Sequence, residues 1–166
     1  MARISSGTIM NNQYNQFIQT QMRNEQPDKE KLIGIATLIR ENFGLMVHRE
    51  PILMFEKETD KFVNFASWLT EEQFKKYTIH IPDLLFFING VMWIFEVDGY
   101  IHNVKTSVEI KDIERDRCYT AAKLPWRKFN EWEILLSQDI DPVRSATVAE
   151  IWPTIKEEIE KIIHRS

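Results

Sequence analysis

The 166-residue sequence has one cysteine, five glycines and six prolines, and it has no long run of apolar residues. The single cysteine, Cys118, excludes a disulfide framework and a cysteine zinc site, and it is typical of a reducing, cytoplasmic setting. The low glycine and proline content argues against collagen-like or linker-like chains. No stretch approaches the roughly 18 apolar residues that cross a membrane, so neither a secreted nor a membrane-spanning chain is expected.

The sequence also lacks an excess of charge of one sign. It has 21 basic and 25 acidic residues, which gives a formal net charge of −4 at pH 7. No global charge therefore indicates a nucleic acid or an anionic membrane as partner, and any phosphate-binding surface must be local. What the sequence does contain is 43% hydrophobic residues, which is enough for the core of one compact domain.

Residues 1–26 and residues 27–166 differ in composition. The first stretch is polar, and apolar residues at helical spacing predict that it is partly helical. The second is expected to be a single domain, because no repeat or linker interrupts it. Asp28 is expected to cap the first helix of this domain, which ends at Gly44. The buried face of that helix is predicted to consist of Leu32, Ile35, Ala36, Ile39 and Phe43.

The most informative segment is residues 79–98, in which two β-rich runs flank Asn89-Gly90. An Asn-Gly pair between such runs is the strongest short-range signal for a hairpin with a two-residue type I′ turn. That turn fixes the register of the two strands and places Asp83 directly opposite Glu96. We therefore expect these two carboxylates to lie close together.

Both faces of the predicted hairpin are mostly apolar. Strand periodicity assigns to one face Ile81, Asp83, Leu85, Phe87, Met92, Ile94, Glu96 and Asp98. It assigns to the other Leu84, Phe86, Ile88, Val91, Trp93, Phe95 and Val97. A sheet that is apolar on both sides must be covered on both sides, so the sequence predicts an α/β fold. The expected architecture is three α/β/α layers around a central mixed sheet that is built on the hairpin.

Three further elements are predicted downstream of the hairpin. Thr106 and Glu109 have the spacing of a capping box, so a helix is predicted to begin there. Residues 126–130 predict a short strand. Residues 142–166 are predicted to form a helix, and Pro153 is expected either to start a new turn or to kink it.

Asp83, Glu96 and Asp98 fall together at one end of an otherwise apolar face. Three such carboxylates repel one another, and burial raises the cost of keeping them ionised. A divalent cation, a Lys or Arg partner, or a raised pKa would offset the repulsion. Oxygen ligands without cysteine favour magnesium, manganese or calcium, and a magnesium site is the preferred interpretation. The structural alternative is that the three acids are solvated at the rim of the sheet.

The sequence Ile81-Pro82-Asp83, followed by Glu96-Val97-Asp98, resembles the motif of the PD-(D/E)XK nuclease superfamily. In that motif a hairpin presents an Asp and an acid-x-Lys pair to a metal ion. The continuation E-x-D-G-x-x-H at residues 96–102, followed by D-x-x-R-D at 112–116, resembles the branch related to very-short-patch-repair endonucleases. The resemblance covers about residues 79–136. It implies a restriction-endonuclease-like fold, Mg²⁺ or Mn²⁺ as cofactor, DNA as partner and the activity of a magnesium-dependent endodeoxyribonuclease.

The resemblance also implies a role for each matched residue. Asp83 and Glu96 would bind the metal ion, and Asp98 would be a further ligand or would orient the attacking water. His102 would act as a general acid or base, since an imidazole titrates near neutral pH. Arg115 either forms an ion pair within its own helix or contacts a backbone phosphate.

The sequence departs from the superfamily at Asp98, which stands where the commonest motif has lysine. A lysine from elsewhere, Lys105 or Lys111, would then supply the positive charge, and both are candidates for contact with nucleic acid together with Arg115. Relatives also place a helical acid near the metal. The sequence does not decide among Glu25, Glu30 and Glu41 for that role, which stays unassigned.

Two other functions remain open at this point. The first is a catalytically inactive nucleic-acid-binding module on the same fold, which the exchange at Asp98 favours. The second is a protein-interaction domain, which the net charge of −4 favours. For a nuclease, a homodimer would match two sites to the two strands of a duplex.

Overall fold

The computed structural model describes residues 6–23, 26–99 and 106–165, and these form a mixed α/β structure, as the sequence predicted. The helices are α1 (Ser6–Arg23), α2 (Gln26–Phe43), α3 (Glu71–Lys76), α4 (Thr106–Ala121), α5 (Glu131–Ser137) and α6 (Val148–Arg165). The strands are β1 (Val47–Arg49), β2 (Ile52–Glu56), β3 (Phe62–Ala66), β4 (Tyr77–His80), β5 (Leu84–Ile88), β6 (Val91–Asp98) and β7 (Trp126–Asn130). Within the described ranges, no helix has the combination of length and apolar character that a membrane span requires.

A four-stranded mixed sheet has the order β1-β5-β6-β7, and the predicted hairpin forms its centre. The β5–β6 register pairs Ile88 with Val91, as the two-residue turn predicted. Asn89 and Gly90 both have positive φ values, 50° and 80°, which a type I′ turn requires. The strand β1 pairs antiparallel with β5, whereas β7 pairs parallel with β6.

One face of this sheet is covered by α2, α5 and α6. Most of the contact is apolar, and the predicted stripe of α2 faces the sheet, with Ile35 and Ile39 fully buried. The α6 stripe consists of Ile151, Ile155, Ile159 and Ile162, all of which are buried. These three helices confirm the helical cover expected on this side of the sheet.

The other face is covered by a helix, α4, as expected, and also by a second sheet, which the prediction did not include. The second sheet is antiparallel, with the order β3-β2-β4. Leu53 and Phe55 of β2 and Cys118 and Tyr119 of α4 pack in one buried cluster against Leu85 of the central sheet. Side chains of the second sheet therefore pack on this apolar face together with those of α4.

The chain turns between the two sheets at Pro82. The sequence predicted one strand run from residue 79 to the hairpin, but β4 ends at His80 and β5 begins at Leu84. Proline lacks the N–H that a central strand must donate, which explains why the run divides here. Asp83 consequently lies just before β5, at the corner.

The predicted boundaries of two helices were wrong. The helix α2 begins at Gln26, two residues before the expected cap Asp28, because Pro27 is tolerated in a first turn whose N–H groups need no partner within the helix. The helix α6 begins at Val148 and not near residue 142. There Thr147 Oγ1 accepts a hydrogen bond from the Glu150 N–H, and the Glu150 carboxylate accepts one from the Thr147 N–H. This capping box fixes the start of α6.

The N-terminal helix α1 packs on α3. The Tyr14 hydroxyl donates a hydrogen bond of 2.6 Å to the carbonyl oxygen of Leu69. The rings of Tyr14 and Phe17 both contact the ring of Phe74. The polar first stretch thus contributes a helix that contacts the rest of the fold through aromatic side chains.

Candidate metal centre

Three carboxylates meet at the end of the hairpin, on the face that α4 and the second sheet cover. Glu96 and Asp98 project from the same side of β6 because they are two residues apart on one strand. Asp83 accepts a hydrogen bond of 2.6 Å from the Val97 N–H, and its own N–H donates to the Glu96 carboxylate. One oxygen from each of the three acids lies within 4.8 Å of the others. The register that the sequence predicted therefore does bring the three acids together.

Arg115 of α4 extends into this group of acids. Its Nη1 lies 2.9 Å from Glu96 Oε2, and its Nη2 lies 3.5 Å from Asp98 Oδ2. On its own helix it contacts Asp112 at 3.4 Å and Asp116 at 2.9 Å. Only 11% of its side chain is exposed. Arg115 thus combines the ion pairs within its helix with a second set of contacts to the strand acids.

Lys128 of β7 reaches the same carboxylates from the neighbouring strand. It is paired with Glu96 in the parallel register of β6 and β7. Its Nζ lies 3.9 Å from Asp98 Oδ2 and forms an ion pair with Asp116. The sequence did not single out this residue, because the face that Lys128 occupies becomes defined only once β7 is aligned with β6.

The cluster has an excess of negative charge when all of its carboxylates are ionised. Among the described residues it contains five carboxylates and two cations. The carboxylates are Asp83, Glu96, Asp98, Asp112 and Asp116, and the cations are Arg115 and Lys128. Because Glu96 and Asp98 are each only 2% exposed, water screens their repulsion poorly.

The pKa values of the acids reflect this environment. Burial raises the pKa of Asp83 to about 7, and the charge of Asp98 adds to the effect while the Val97 N–H opposes it. Burial, reinforced by Asp83, raises the pKa of Glu96 well above its ordinary value. Burial alone would lower the pKa of Arg115, but Glu96, Asp98 and Asp116 together raise it, so the guanidinium stays charged. Ionisation of Asp83 and Glu96 is therefore unfavourable in the folded protein, and a further cation would reduce that cost.

Tyr119 and His80 line the apolar side of the cluster. The Tyr119 hydroxyl donates a hydrogen bond of 3.3 Å to Glu96 Oε1. The ring of His80 lies edge-on to that of Tyr119, with 6.0 Å between the ring centroids. Burial and the nearby Arg115 lower the pKa of His80, which is therefore neutral at neutral pH. The sequence analysis singled out neither residue, since both belong to elements whose packing was not predicted.

A second buried charged pair lies on the opposite face of the same strand end. Lys31 Nζ of α2 contacts Glu131 Oε1 of α5 at 2.8 Å, and Glu131 also accepts a hydrogen bond of 2.7 Å from the Ala146 N–H. A Cβ at Gly99 would lie 3.1 Å from Glu131 Oε2. The absence of a side chain at Gly99 thus permits the close approach of the Glu131 carboxylate to the end of β6.

The remaining predicted residues either fall outside the described residues or are exposed on helices. His102 and Lys105 fall outside the described residues. Lys111 lies on α4, one turn before Arg115, and is exposed. Glu30 and Glu41 are exposed on α2, and Glu25 lies outside the described residues. The structure therefore gathers Asp83, Glu96, Asp98 and Arg115, and it adds Lys128, Asp112, Asp116 and Tyr119 to them.

Comparison of this chain with family models, with curated proteins and with solved structures found no match.

Proposed function

We propose that this chain is a metal-dependent endonuclease that hydrolyses DNA phosphodiester bonds. The observation that supports it most directly is the approach of one oxygen each from Asp83, Glu96 and Asp98 to within 4.8 Å of one another. Carboxylate oxygens are the ligands that magnesium and manganese prefer. The proposal includes a restriction-endonuclease-like fold and a place in the PD-(D/E)XK superfamily, in the branch related to very-short-patch-repair endonucleases.

Each residue of the cluster then has a role. Asp83, Glu96 and Asp98 would hold a magnesium ion, which polarises the scissile phosphate and lowers the pKa of water when it is bound. Arg115 would hold the Glu96 and Asp98 carboxylates in place and reduce their mutual repulsion. Tyr119 would orient Glu96 through its hydroxyl group.

Contacts to DNA and proton transfer are assigned to residues outside the carboxylate group. His102 is the proposed general acid or base, on the basis of its place in the motif. Lys105 and Lys111 are proposed to contact the DNA backbone, and Lys111 is exposed on α4 as that role requires. Arg115 has only 11% of its side chain exposed, so its proposed role is with the carboxylates.

One observation favours a second function, an inactive nucleic-acid-binding module. Arg115 occupies the space between Glu96 and Asp98, at 2.9 and 3.5 Å from their oxygens, and so offsets part of the charge that a metal ion would neutralise. In addition, Asp98 stands where the superfamily motif has lysine. Both features fit a site that binds DNA without cutting it. Such a module would bind DNA in a salt-dependent manner with no cleavage at any metal concentration.

The deciding experiment is cleavage of supercoiled and linear DNA at low salt in magnesium, in manganese and in chelator. The wild-type protein is compared with Asp83→Ala and with Glu160→Ala, in which an exposed acid of α6 is removed as a matched control. We expect metal-dependent nicking by the wild-type and Glu160→Ala proteins. We expect no nicking by Asp83→Ala, because the ion loses a ligand, and circular dichroism verifies that this variant folds.

Each other outcome has a definite meaning. Cleavage by Asp83→Ala at the wild-type rate shows that the proposed site is wrong. Binding of DNA without cleavage by any of the proteins supports the inactive module. If the wild-type protein neither binds nor cuts DNA, nucleic acid is not its partner and the protein-interaction function gains support.

A further inference from the structure

We propose that Lys128 contacts a phosphate oxygen of the nucleic acid at the carboxylate cluster and so supplies the positive charge that the exchange at Asp98 removed. This inference rests on the proposed function and extends it. It assigns a substrate contact to a residue of β7, a strand that lies about 30 residues beyond the hairpin acids. The register of β7, the exposure of Lys128 and the contacts of its ammonium group support this assignment.

The register directs Lys128 toward the acids. Residues paired across neighbouring strands project to the same face of the sheet, and Lys128 is the partner of Glu96. The next residue toward the N-terminus, Arg127, projects to the opposite face, where it packs on the ring of Trp93 and forms an ion pair with Glu158. Of these two adjacent cations, only Lys128 therefore reaches the cluster.

Lys128 and Arg115 differ in how much of the side chain is exposed to solvent. Both contact Asp98, but 32% of the Lys128 side chain is exposed, compared with 11% of the Arg115 side chain. A phosphate group arriving from solvent can therefore reach the ammonium group of Lys128. The guanidinium of Arg115 is enclosed by carboxylates, which suits it to holding them and not to contacting a substrate.

The ammonium group is held at the edge of the cluster. Asp116 forms an ion pair with Lys128, and the ring of Trp126 lies 5.9 Å from its Nζ. Lys128 Nζ lies 3.9 Å from Asp98 Oδ2, so the ammonium group is beside the proposed metal ligands. A lysine ammonium has three donors on a flexible stem, so it can donate to Asp116 and to a phosphate oxygen at the same time.

The test uses two variants of the full chain and one control. Lys128→Met removes the charge but keeps most of the stem, and Lys128→Arg keeps the charge. Lys161→Met removes an exposed lysine of α6 and serves as the control, since it lies in the layer on the opposite face of the sheet. Folding is verified by circular dichroism, and Lys128→Gln replaces the methionine variant if that variant does not fold.

Three quantities are measured: the single-turnover cleavage rate in magnesium, the affinity for manganese alone by calorimetry, and the salt dependence of binding to a DNA duplex in calcium. We expect Lys128→Met to lower the cleavage rate about 100-fold or more, as loss of one charged donor at a reacting oxygen does. We expect its salt slope to fall by about one, as for loss of one phosphate contact. Its manganese affinity should be unchanged or higher, because a cation beside Asp98 is gone. Lys128→Arg should stay within about tenfold of the wild-type rate.

The outcomes distinguish this inference from the proposed function. If the wild-type protein cuts DNA and Lys128→Met matches it in rate and salt slope, the contact is overturned while the nuclease proposal stands. If the wild-type protein never cuts but the salt slope still falls in Lys128→Met, nuclease function fails and the phosphate contact stands. A loss of manganese affinity in Lys128→Met would show that the lysine only supports the cluster, which also overturns the inference.

Discussion

The two groups of buried charged side chains on either side of the end of β6 are built differently. On one face, Lys31 and Glu131 form a pair with one charge of each sign, and Glu131 has an additional backbone donor. On the other face, five described carboxylates share the cations Arg115 and Lys128. A balanced pair needs no further partner. An unbalanced group of carboxylates at this depth requires protons or a further cation to offset the repulsion. We therefore assign a structural role to the first group and base the proposed metal site on the second.

Removing Glu131 should have the largest effect on stability. Glu131→Ala leaves the Lys31 ammonium buried without its carboxylate partner, and loss of one member of such a pair costs about 3–5 kcal/mol. Chemical denaturation measures the change in the free energy of unfolding. Glu133→Ala, which removes an exposed acid from the same helix, is the control and should change stability by less than about 0.5 kcal/mol. Equal losses in the two variants would show that the Lys31–Glu131 pair contributes little.

Addition of a metal ion should distinguish the carboxylate cluster from the Lys31–Glu131 pair. A ligand present at 100 times its Kd stabilises the folded state by about 2.7 kcal/mol, so magnesium or manganese should raise the melting temperature of the wild-type protein. Glu96→Gln should abolish this increase, because it removes a charged oxygen ligand from the three-acid group. Glu131→Gln, on the other face, should retain it. A metal-induced increase that survives Glu96→Gln would place the ion elsewhere.

A more gradual effect, spread over several pH units, is expected from pH in the presence of chelator. Burial raises the pKa of Asp83 from 3.8 to about 7, so between those values the folded protein keeps a proton that the unfolded chain has released. Stability from this group is complete below about pH 4 and is lost as the pH rises to about 7, with a slope of at most about 1.4 kcal/mol per pH unit.

Thermal denaturation of the wild-type and Asp83→Asn proteins from pH 5 to pH 8 measures this dependence. The asparagine keeps an oxygen for the Val97 N–H but does not titrate, so the decline in melting temperature should be shallower in the variant. Saturating magnesium should reduce the decline in the wild-type protein, because the metal ion favours the ionised carboxylates. Identical pH profiles for the two proteins in chelator would contradict a raised pKa at Asp83.

Much of the acid cluster was predictable because it depends on one hairpin. Asn89-Gly90 sets a two-residue turn, and counting back from it places Asp83 opposite Glu96, which the structure confirms. Alternation along β6 then adds Asp98. These are short-range effects of backbone geometry, so one sequence is sufficient to predict them.

The cations of the cluster were harder to predict. The sequence predicted β7 as a strand, but its parallel alignment with β6, which places Lys128 beside Glu96, depends on how α4 crosses the sheet. For Arg115 the sequence indicated either an ion pair within its own helix or a phosphate contact, and the structure shows ion pairs to Asp112 and Asp116. The contacts of its guanidinium with Glu96 and Asp98 were not predicted.

The sequence by itself determined the local elements of this protein: the apolar stripe of α2, the turn at Asn89-Gly90 and the facing carboxylates. Tertiary structure alone decided that a second sheet joins α4 over one face, that Arg115 enters the carboxylate group, and that Lys128 lies at its edge. The reason is the range of the interactions. Periodicity and turn preferences act over a few residues, whereas the partner of a side chain from another element is fixed only when the apolar faces of those elements pack together.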